Sequence, residues 1–146
     1  MYKDILLPID LGHDSSWEKA LPVALGLCQA FGARLHIMTV IPDFGMSIVG
    51  SFFPKDFEKD TLKGAETQLH EFVREQVPEG IEVQHIVAHG TVYEEVLATQ
   101  KKIGADLIVM GSHRPELADY LLGPNAARVV RHADCSVLVV RGNEQA

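Results

Sequence analysis

Five short apolar runs punctuate the chain: Ile5–Ile9, Leu35–Val40, Val83–Ala88, Leu107–Met110 and Val137–Val140. Most are nearly continuous rather than alternating, the pattern of strands covered on both faces in a parallel sheet. The segments between them carry helical spacing. Trp17, Ala20, Leu21, Ala24, Cys28 and Phe31 recur at steps of three and four, which predicts one apolar face of a helix starting near Asp14 or Ser15 and stopped by Gly32. Pro22 is expected to kink this helix or to limit its first turn. Leu62, Ala65, Leu69, Phe72 and Val73 form a second stripe closed by Pro78 and Gly80. Val92, Val96, Thr99 and Ile103 form a third, opened by Thr91 and stopped by Gly104. Ala126, Val129, Val130 and Ala133 give a short fourth. The order βαβαβαβαβ predicts an α/β fold, a doubly wound five-stranded parallel sheet with helices on both faces.

One connection stands out. Residues 41–53 are long for a loop and carry Phe44, Met46, Ile48, Val49, Phe52 and Phe53. Long loops in small α/β domains are usually functional. An apolar one serves as a lid over a ligand, as a contact for another subunit, or simply folds back on its own domain.

With 146 residues, the chain is expected to form one domain, residues 1–146, with a core large enough to stand without disulfides or metal. The formal net charge of −7 argues against nucleic acid, whose phosphates need clustered Lys and Arg. Cys28 and Cys135 lie far apart in apolar contexts and form no C-x-x-C pair. They read as free thiols of a reducing compartment, and neither a redox motif nor a zinc site is expected. No basic segment followed by a long apolar run opens the chain, and no stretch approaches the ~20 apolar residues of a bilayer span. The expected setting is cytoplasmic, without membrane insertion.

In open parallel sheets the ligand site lies beyond the carboxyl ends of the strands, where strand order reverses. Those tips read Pro8-Ile9-Asp10, Val40-Ile41-Pro42-Asp43, Ala88-His89-Gly90-Thr91 and Met110-Gly111-Ser112-His113-Arg114. The amino ends of the strands show no comparable cluster. Familiar α/β sites are absent: no G-x-G-x-x-G follows the first strand, and no P-loop or G-x-S-x-G elbow occurs. A receiver-type phosphoacceptor is also missing, since His89 and Gly90 follow the third strand. The flavodoxin-type hydroxyl-rich loop is replaced by Leu11-Gly12-His13-Asp14. What remains is the stretch from Gly111 to Asn125, glycine-flanked and leading into a helix at Gly123-Pro124-Asn125, whose free N–H groups suit an anion. Asp10, on the neighbouring tip, could bond a ribose or an adenine amino group. The constellation suits a nucleotide with its base near the first two strands and its phosphates near the last helix. No spacing of His, Asp or Glu suggests a metal held by protein alone, although Mg²⁺ can arrive with the phosphates.

Residues 1–10 (MYKDILLPID) and 106–141 (DLIVMGSHRPELADYLLGPNAARVVRHADCSVLVVR) resemble the opening and closing blocks of universal stress proteins. The resemblance implies strand order 3-2-1-4-5, with Asp10 and Gly111 side by side at the switch point. It implies an ATP-binding regulatory role in stress response and a homodimer joined through Val137–Val140, which hides an edge strand. Pairing of dimers into a tetramer through 41–53 and an unidentified protein partner are further expectations. The implied nucleotide-binding set is Pro8, Ile9, Asp10, Val40, Gly90, Met110, Gly111, Ser112, His113, Arg114, Gly123, Pro124 and Asn125, with no catalytic residue assigned.

ATP-binding members resemble one another in a G-x2-G-x9-G-[ST] motif. Gly111 and Gly123 match its outer glycines. Arg114 stands at the second glycine, only eight residues separate it from Gly123, and Pro124 replaces the final hydroxyl residue. Pro124 is comfortable at the first position of a helix. It nevertheless removes a hydroxyl and an N–H that the motif aims at phosphate, at about 1–3 kcal/mol each if uncompensated. Arg114 supplies a charge-assisted fork and Asn125 an amide in exchange. Two alternatives stay open at this point: an interaction protein of the same family that binds no nucleotide, and a slow ATPase with His113 as the one candidate base.

Overall fold

The computed structural model describes residues 1–42, 57–112 and 124–141. Its elements run β1 (Asp4–Ile9), a short 3-10 turn (Asp14–Ser16), α1 (Ala20–Phe31), β2 (Arg34–Pro42), α2 (Phe57–Gln76), β3 (Val83–Gly90), α3 (Val92–Ile103), β4 (Leu107–Gly111), α4 (Pro124–His132) and β5 (Ser136–Val140). All five strands are parallel and ordered β3-β2-β1-β4-β5, as the pattern and the resemblance predict. Each apolar run lies within its strand. The chief extension is at β2, which continues through Ile41 and Pro42, paired with His89 and Gly90. The first two residues of the expected 41–53 loop are therefore strand; its remainder lies outside the described residues.

The continuous apolar runs have the predicted cause. Ile5, Leu6 and Leu7 on the central strand are all fully buried, one side chain after the next. Ile5, Leu7, Leu35, Ile37 and Val109 face α1 and α2, packing with Ala24, Leu69 and Phe72. Leu6, Met38, Ile108 and Met110 face α3 and α4, packing with Val96, Ala126 and Val129. The edge strands β3 and β5 are only partly covered.

Details of the first helix differ from the periodic reading. Trp17 precedes α1 and packs edge-on against Phe72, centroids 4.9 Å apart. Phe31 ends the helix 40% exposed, edge-on to Tyr2 at 5.8 Å. Pro22 falls in the first turn, where its missing N–H has no intrahelical role. Gly32 and Gly104 terminate α1 and α3 at φ 65° and 71°, the left-handed conformation glycine tolerates best. On α4, Val130 belongs to the apolar stripe by spacing yet is 47% exposed.

The amino ends of the strands correct the sequence expectation, because they do carry a polar cluster. The Asp106 carboxylate accepts the N–H groups of Lys3 and Asp4. The Asp4 side chain meets His36 Nε2 at 2.9 Å, and the other nitrogen of His36 meets Gln84 Oε1. His36 is 3% exposed, so both ring nitrogens depend on these partners. The row crosses β1, β2 and β3 and ties them laterally at the amino end of the sheet. Cys28 and Cys135 are free thiols, the former buried and the latter half-buried.

Candidate functional site

The site grows from the turn after β1. Pro8 and Ile9 are buried and hold the strand to its end; Asp10 stands at the tip, its side chain 47% exposed. Asp10 Oδ1 accepts the N–H of Gly12 at 2.9 Å, closing an Asx turn. Oδ2 meets His13 Nδ1 at 2.9 Å. This exposed pair is screened by solvent and adds little stability, but it fixes the direction of the carboxylate. Each oxygen keeps acceptor capacity for an outside donor. Ser16 ties the turn from below: its Oγ accepts the Asp10 N–H at 2.8 Å and lies 2.8 Å from the His13 carbonyl and 3.0 Å from that of Asp10.

The neighbouring wall is the end of β4. Ile5 pairs with Leu107 and Leu6 with Ile108, so Asp10 and the Gly111–Ser112 pair leave the sheet side by side. Gly111 lies directly against the 3-10 turn. A Cβ there would sit 2.9 Å from the Ser16 carbonyl oxygen and 3.3 Å from that of Ser15. Only a residue without a side chain lets β4 approach the Asp10 turn this closely. Met110 is buried beneath it. Ser112 is 8% exposed, its N–H donating to the Val140 carbonyl at 3.0 Å and its hydroxyl 3.4 Å from the same oxygen. Ser112 thus anchors the exit of β4 to the end of β5.

On the other flank, Val40 is half-buried and pairs with Ala88. Gly90 turns out of β3 at φ 144°, with the Glu95 carboxylate 3.1 Å from where its Cβ would be. Pro124 and Asn125 open α4, exposed and half-buried respectively. His113, Arg114 and Gly123 lie outside the described residues. The carboxylate and sheet-tip half of the predicted set is therefore brought together by β1 and β4, while Val40 and Gly90 belong to the β2–β3 side.

Sequence reasoning missed His13, Ser16 and Glu95. The Asp10-Leu11-Gly12 spacing is an Asx-turn signature and would have placed Gly12 and His13 around the carboxylate. Nothing in the sequence marks Ser16, whose role depends on how the 3-10 turn folds back. Chemically, the described tip offers an oriented acceptor and a close backbone approach. The hydroxyls of Ser16 and Ser112 both lie against backbone carbonyls. Among the described residues, no group of three or more His, Cys, Asp or Glu is placed to hold a metal, and no helix is long and apolar enough to cross a membrane.

Comparison with known proteins agrees with this architecture. The model of the universal stress protein family matches residues 1–141. Universal stress protein G of Escherichia coli O157:H7 is 34% identical over 143 residues, covering 97% of this chain and 100% of that protein. Universal stress protein UspA from Lactobacillus plantarum superposes with a TM-score of 0.74 at 25% identity, over 96% of this chain and 98% of that one. A universal stress protein in complex with cAMP shares the fold at a TM-score of 0.62 and 23% identity, over 97% and 98% of the two chains. The match in sequence along nearly the whole length, together with the β3-β2-β1-β4-β5 sheet, shows that the chain belongs to the universal stress protein family.

Proposed function

We propose that this protein is a homodimeric regulatory module of the stress response that binds an adenine nucleotide, ATP, at the tips of β1 and β4. The observation that carries the reading is the Asp10 carboxylate, held in direction by Gly12 and His13 and standing half-exposed beside the Gly111 end of β4 at the switch point of the sheet. Such a carboxylate accepts a ribose hydroxyl or an adenine amino group, and the start of α4 faces the phosphates with Asn125. The cAMP complex of a protein with this fold supports the choice of adenine. His113, Arg114 and Gly123 complete the phosphate side in this proposal, with Mg²⁺ entering on the nucleotide.

The dimer is proposed through β5, an edge strand whose Leu138 is 39% exposed. Leu138→Arg is expected to shift the sedimenting species from dimer to monomer; a monomeric parent protein would contradict the dimer. The nucleotide site is tested by calorimetric titration of ATP with Mg²⁺ into the protein and Asp10→Ala. Loss of one charge-assisted bond of about 1.5–3 kcal/mol predicts affinity weaker by a factor of about 10 to 150. Equal affinity in the two proteins would remove Asp10 from the site.

A second reading, an interaction module without nucleotide, draws on Gly111 and Ser112. The first is required by packing against Ser16 and the second is committed to Val140, so neither needs a ligand to explain it. Absence of heat in the same titration selects that reading.

A further inference from the structure

On the opposite flank from the β1–β4 tips, His70 of α2 lies edge-on to His85 of β3. Their ring centroids are 4.1 Å apart and their planes 67° apart. His85 shares the α2-facing side of β3 with Val83 and Val87, which join the core there. Its Nε2 is enclosed and has no hydrogen-bond partner among the described residues. A buried polar nitrogen without a partner is costly and calls for an explanation. Beside it lies an open cavity of about 590 Å³ lined by Thr67, His70, Glu71, Val73, Arg74 and His85. Glu71 and Arg74 balance each other in charge across that lining.

We propose that His70 and His85 form a chelating site for a tetragonal transition-metal dication of the Cu²⁺ or Ni²⁺ type, completed by solvent in the cavity. Imidazole nitrogen is a preferred donor for these ions, which favour right-angled geometry. Two imidazoles on one metal at a right angle have ring centroids about 4.5 Å apart when the metal–nitrogen bonds are about 2.0 Å, close to the 4.1 Å between His70 and His85. His70 is exposed on α2, so its ring can turn from the edge-on contact to share a metal with His85. Burial, and secondarily the neighbouring His70, push the His85 imidazole below its ordinary pKa, which favours the neutral form that binds metal. The site needs no nucleotide and stands apart from the proposal for the β1–β4 tips.

The test uses the full-length, untagged protein stripped with a chelator. Cu²⁺ and, separately, Ni²⁺ are titrated into it and into His70→Gln, His85→Gln and the exposed control His132→Gln, read by calorimetry and by visible absorption of the copper complex. The expected result is one equivalent bound by the parent and by His132→Gln. Either of the other variants converts a two-point chelate into single-point binding and weakens it by about a hundredfold or more. Metal at a hundred times its dissociation constant should also raise the ratio of folded to unfolded protein about a hundredfold in the parent. No binding by the parent, or binding that survives both substitutions, overturns the site. Should His85→Gln fail to fold, as judged by circular dichroism, His70→Gln on the exposed helix face decides alone.

Discussion

Substituting Gly111 by alanine isolates the contact that brings the two strand tips together. The new Cβ would stand 2.9 Å from the Ser16 carbonyl oxygen and 3.3 Å from that of Ser15. An unstrained carbon–oxygen contact is about 3.3–3.6 Å, so one wall must retreat by about 0.4 Å or more. Both neighbours are backbone atoms and cannot rotate aside like the end of a side chain. Ser16 is in turn bonded to the Asp10 N–H, so the retreat displaces the Asp10 turn. Forced overpacking of this kind costs about 1–3 kcal/mol. With a urea dependence of about 2 kcal/mol/M, the midpoint should fall by about 0.5–1.5 M at unchanged slope. Trp17, next to the 3-10 turn, gives the fluorescence signal. Gly26→Ala is the matched control: it lies inside α1 with nothing within 4 Å of the added carbon and should stabilise by about 0.5–1 kcal/mol. A Gly111→Ala midpoint equal to or above that of the parent would refute the close-approach argument.

Asp4→Ala leaves Nε2 of the buried His36 without its acceptor, and a loss of about 1–3 kcal/mol is expected in the same urea assay; an unchanged midpoint would mean that water replaces the carboxylate. Burial pushes the Cys28 thiol up from 9.0 to about 11. The folded state therefore favours the neutral thiol, and the associated stability is present below pH 9 and is lost as pH rises from 9 through 11. Cys28→Ala should flatten that part of the alkaline decline, and persistence of the same slope would assign it to other groups. In the parent at pH 8, Cys28 should react with a thiol reagent far more slowly than a free cysteine, measured by the rate of colour release.

The sheet was legible because its signal is redundant. Runs such as Ile5–Ile9 and Leu107–Met110 are apolar at successive positions, which only two-sided burial requires, and Gly32 and Gly104 mark helix ends by a conformation other residues avoid. The strand tips followed from the element order, since the carboxyl ends of parallel strands share one side of the sheet. Four features were not legible for definite reasons. The spacing that put Trp17 and Phe31 on one helical stripe ignores the 3-10 turn and the last-turn exposure, both decided by packing. The Asp4–His36–Gln84 row joins three strands far apart in sequence, so no local pattern announces it. Gly111 reads in sequence as the start of a phosphate motif, whereas the fold gives it an independent steric duty against Ser16. The His70–His85 contact likewise depends on how α2 lies over β3, which periodicity does not specify beyond the buried faces of Leu69 and Phe72.

The central claim, an adenine nucleotide held at the β1–β4 tips, is tested most directly by purifying the protein gently, denaturing it and chromatographing what it releases. The account predicts ATP at close to one equivalent per chain. A protein that releases no nucleotide and gives no heat when titrated with ATP and Mg²⁺ would contradict it.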